Sequence, residues 1–124
     1  MDVFLSQLER LSRAYNAGLK KLEKIEKTPA VKELCTMAKV CAIHFESTYL
    51  QVKFNLEKQS ADAQTLLSYI RRERELCESL RDVALTDARI GFEASNHYYY
   101  NQNTLLEKML NLNELEKILI STVR

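Results

Sequence analysis

Residues 87–101, DARIGFEASNHYYYN, divide this chain into long helices before and a single helix after. The stretch holds one of the two glycines, one of the two histidines and three of the six tyrosines. Its polar groups are too dense for a core, and its tyrosines too many for an ordinary solvated link. It reads as an ordered loop that docks onto something. Outside it, one proline and one further glycine leave few places to interrupt a helix. The expectation is an all-α fold, an up-down bundle of about four helices with this loop before the last of them.

Upstream, residues 2–27 predict a first helix with Asp2 as its cap, since a short side-chain oxygen satisfies amides that lack partners in the first turn. Phe4, Leu8, Leu11, Tyr15, Gly18, Leu22 and Ile25 form its apolar stripe, widened by Leu5 and Leu19. Gly18 within that stripe predicts the close approach of another helix. Thr28 and Pro29 end it and start a second helix reaching about Lys58: threonine suits the cap, and proline suits a first turn whose N–H has no partner. The apolar set from Val31 to Leu56 covers so much of the girth that this helix should lie centrally, covered on more than one side.

Gln59 and Ser60 turn the chain into a third helix from about Ala61 to Leu85. Leu66, Ile70, Cys77, Leu80 and Ala84 make its stripe. RRERE (71–75) reads as a solvated face with charges paired along the helix, Glu75 with Arg71 and with Ser79. Beyond the loop, Thr104 and Glu107 have capping-box spacing, and Leu105 to Leu119 form a strongly apolar last helix. Asn113 and Glu116 repeat that spacing, which predicts a break near Asn111–Asn113.

Composition narrows the chemistry. The 124 residues suffice for one domain with a real core, and 46% hydrophobic with 28% charged residues argues against disorder. Eighteen basic against 17 acidic side chains give a net charge of +1, no footprint for nucleic acid or an anionic membrane surface. No apolar run approaches the roughly 20 residues that cross a bilayer. Cys35, Cys41 and Cys77 form no CxxC pair and read as reduced, mostly core thiols of a cytoplasmic protein.

Glycine-rich phosphate loops, HExxH, GxSxG and zinc-spaced cysteines are all missing from the sequence. The Glu-x-x-His pairs of a ferritin-like metal site are missing too; Glu93 and His97 stand four apart instead. His44 reads as a structural histidine beside Phe45, and Cys41–His44 as packing rather than a nucleophilic pair. No catalytic residue, cofactor or metal ligand is assigned. Within 87–101, the structural reading has Asp87 and Arg89 capping the third helix and pairing with a neighbour, Gly91 turning the chain and the tyrosines filling the end of the bundle. Functionally, Glu93, Asn96, His97 and Tyr98 to Tyr100 match the mix that lines sugar sites, aromatic faces for rings with carboxylate and amide for hydroxyls.

DARIGFEASNHYYY (87–100), followed by LLEKMLN (105–111), resembles the C-terminal end of large bacterial glycoside-hydrolase-like proteins. In these, a barrel catalytic domain precedes a helical region ending in a similar Asp-Ser-Arg, Gly-Phe-Glu, Ser-Asn-His-Tyr motif. The preceding IRRERELCESLRDVALTDARIGF (70–92) is similar to that family's acidic helix, with a thinner match in HFESTYLQVKFNL (44–56). Asp87, Arg89, Gly91, Phe92, Glu93, Ser95, Asn96, His97, Tyr98 and Tyr100 carry over, while Ala88 stands where the family has serine.

The resemblance implies a non-catalytic C-terminal helical domain that packs against the catalytic domain of the same parent chain. Asp87, Arg89, Glu93, Asn96, His97, Tyr98 and Tyr100 would then lie at the interface or near the sugar. Two other readings stand beside it. One is a separate helical interaction module, a homo-oligomer formed through its last or its second helix. The other is a small enzyme that uses His97 and Glu93.

Overall fold

The computed structural model describes residues 3–91 and 101–122. Four helices account for nearly all of them: α1 (Val3–Leu22), α2 (Pro29–Glu57), α3 (Ala63–Thr86) and α4 (Gln102–Thr122). The fold is all-α, with no strand among the described residues. The chain divides into two compact units, Met1–Lys53 and Phe54–Arg124, and α2 runs through the boundary.

In the first unit, α1 and the greater part of α2 meet through side-chain contacts. Tyr15 stacks on Phe45 with ring centroids 4.8 Å apart, and Asn16 Nδ2 donates to Glu46 Oε2 at 3.2 Å. The expected cap Asp2 lies outside the described residues. The end of α1 comes earlier than Lys27. Beyond it the chain tightens through bonds from Lys24 N to Lys21 O at 3.1 Å and from Ile25 N to Leu22 O at 3.2 Å. Lys27 then folds its ammonium back onto Leu22 O at 2.7 Å, placing a cation at the carbonyl end of the helix.

The apolar stripe of α1 is also rotated from its expected phase. Leu5, Leu8 and Ser12 are buried, whereas Phe4, Leu11 and Tyr15 are exposed. Asn16, one turn beyond Ser12, donates to the Ser12 carbonyl as well as to Glu46, so the line facing α2 turns polar halfway along. Gly18 does not mediate a close approach, because a Cβ there would meet no atom within 4 Å.

Thr28 and Pro29 start α2 as the sequence predicts: Val31 N donates to Thr28 Oγ1 at 3.3 Å, and Pro29 is the first helical residue. Broad coverage holds only for its middle. Between Val40 and Phe54 just His44 and Gln51 are exposed, while Leu34 and Met37, nearer the start, are exposed at 53% and 47%. His44 therefore lies outside the core, edge-on to Phe45.

The second unit contains the end of α2, α3 and α4. The first helical residue of α3 is Ala63, two later than expected, because Asp62 takes the cap; its carboxylate accepts from Thr65 N at 2.9 Å and Thr65 Oγ1 at 2.8 Å. Tyr69 Oη donates to Glu57 Oε2 at 2.7 Å and ties α3 to the end of α2. Leu66, Ile70, Glu73, Cys77 and Leu80, spaced four, three, four and three, are buried along α3 with Leu67, Leu76 and Val83 beside them. Each such leucine or isoleucine contributes roughly 1.5–3 kcal/mol by leaving water.

Two corrections concern α4. Asn101, and not Thr104, caps it: Thr104 N donates to Asn101 Oδ1 at 2.9 Å, while Leu105 N closes the first turn onto Asn101 O. Asparagine outranks threonine at this position, so the helix starts three residues before the capping-box reading places it. The expected break at Asn111–Asn113 is absent, and α4 runs unbroken from Gln102 to Thr122.

Candidate functional site

Two polar features of the second unit carry its chemistry. The first is the exit from α3. Asp87 closes that helix, its N–H donating to Val83 O at 3.2 Å, and Ile90 N donates to Asp87 O at 3.1 Å to complete a turn. Inside the turn Asp87 Oδ1 accepts from the Arg89 backbone N at 3.0 Å and from Arg89 Nε at 2.9 Å, and Oδ2 accepts from Nη2 at 2.7 Å. The guanidinium and the Arg89 amide together hold the Asp87 carboxyl down at about 2. Ile90 is buried directly afterwards, and Gly91 continues at φ 83°, a conformation that glycine adopts without steric cost.

Asp87 and Arg89 are thus brought onto each other at the end of α3. Glu93, Asn96, His97, Tyr98 and Tyr100 lie outside the described residues, as do Phe92 and Ser95, so the Glu93–His97 spacing has no described geometry.

The second feature is a polar seam between α3 and α4, which the sequence reading did not find. Glu73 is 4% exposed, occupies a core step of the α3 stripe and accepts from Lys108 Nζ of α4. Cys77, one turn further along α3, faces the same lysine, and burial pushes its thiol up. Toward the other end, Glu116 accepts from Arg71 Nε and Arg74 Nη1, each at 2.8 Å, and Arg74 Nη1 also reaches Asn113 Oδ1 at 2.7 Å. The two arginines, Arg71 first, hold the Glu116 carboxyl below its ordinary value.

These contacts make α3 and α4 antiparallel, because residues 73 and 77 meet 108 while 71 and 74 meet 116. Within the RRERE run, Arg72 and Glu75 pair along their own helix at 2.8 Å. Arg71 turns to α4 instead of Glu75, so the run is an interhelical seam on one side and a wet face on the other. The signal available in sequence was the gap at Glu73 in an otherwise apolar four-three stripe.

Chemically, the seam pairs opposite charges and holds a thiol pushed away from its reactive form, which suits structure rather than turnover. Of the three cysteines only Cys77 is buried; Cys35 and Cys41 are half-buried, and Lys27 Nζ approaches Cys35 Sγ at 3.7 Å. Among the described residues, no group of three or more His, Cys, Asp or Glu side chains could hold a metal ion, and no helix is long and apolar enough to cross a membrane. No protein-family model matches the chain, and neither a curated protein nor a solved structure matches it.

Proposed function

We propose that this chain is a non-catalytic, C-terminal helical region of a bacterial glycoside-hydrolase-like protein that packs against the catalytic domain of the same parent. The observation that carries the reading is the motif beginning at Asp87. Its first residues form a locked turn in which Asp87 ends α3, Arg89 clamps the carboxylate and Gly91 takes a positive φ. Leu34 and Met37 on α2 and Leu85 on α3 add exposed apolar surface of the kind an adjoining domain covers.

The test begins with the coding DNA upstream of Asp2. An open frame of several hundred residues makes the parent available, and removal of residues 1–124 from it should lower both its thermal midpoint and its turnover of glycosides. A parent that keeps full stability and turnover after the deletion rejects the proposal.

A second reading, a separate helical interaction module, is favoured by one observation: α4 leaves Leu106, Leu110 and Ile118 exposed at 46%, 57% and 59%. Sedimentation at increasing concentration tests it, and an unchanging monomer removes it.

A further inference from the structure

We draw no further inference here: the strongest candidate, the side-chain pair near the start of α2 in which Lys27 Nζ approaches the half-buried Cys35 Sγ at 3.7 Å, rests on a lone cysteine beside an exposed lysine, and nothing else among the described residues points to a ligand or reaction there.

Discussion

Gly18 lies inside α1 with open space where a side chain would go. A glycine in a helix interior costs about 1 kcal/mol relative to alanine, mostly through the freedom it retains when unfolded. Gly18→Ala should therefore stabilise the chain by up to about 1 kcal/mol, read as a shifted midpoint in urea. A clash hidden from the structure would instead lower the midpoint. Asp87 offers a test of a different kind. Its carboxyl is lowered from 3.8 to about 2 chiefly by the Arg89 side chain, then by the Arg89 amide. In Arg89→Ala the carbon resonance of the Asp87 carboxyl should titrate closer to 3.8 than in wild type, and an unmoved titration would mean that the clamp does not form in solution.

The pairing of α3 with α4 places a buried carboxylate in an apolar stripe. Transferring Glu73 out of water is costly, and Lys108 offsets that cost only while it remains in place. Lys108→Ala should accordingly destabilise the second unit by about 2 kcal/mol or more. Replacing both partners, with Glu73→Leu and Lys108→Leu, removes the desolvation as well as the attraction. The double variant should lie within about 1 kcal/mol of wild type, and a loss larger than that of Lys108→Ala would show the ion pair to be net stabilising. What the pair supplies is register, since Lys108, which meets Glu73 from α4, sits one turn beyond the buried Leu105. The end of each helix is a matter of local chemistry. Asp62, Asn101 and Thr28 each accept an amide of the first turn, satisfying a donor that the helix itself leaves without a partner.

Among the described residues, the carboxylates held below their ordinary values are Asp62, Asp87 and Glu116, and all three belong to the second unit. Asp62 is lowered mainly by the Thr65 amide, Asp87 by Arg89 and Glu116 by Arg71 and Arg74. For each, the folded value lies below the unfolded one. The stabilisation is complete above the ordinary values of 3.8 and 4.5, and declines as pH falls through the lowered folded values. Hydrogen exchange should therefore show α3 and α4 amides losing protection relative to α1 as pH falls from about 5 toward about 2, once the intrinsic pH dependence of exchange is removed. Equal loss in α1 would contradict this assignment.

The four helices and the α1–α2 boundary at Thr28–Pro29 were readable in the order of residues, because caps, proline and apolar periodicity act within a few positions of themselves. Asp87, Arg89 and Gly91 were readable as a helix-ending turn for the same reason. The phase of α1, by contrast, depended on which neighbours its stripe met: a polar line through Ser12 and Asn16 toward Glu46 prevailed over Phe4 and Leu11. The roles of Glu73, Arg71 and Arg74 were equally closed to local reading, since their partners lie 35 to 45 residues away on α4. Periodicity records which face of a helix is apolar; the choice of the facing helix, and hence of which charges are buried and paired, arises only when the chain packs.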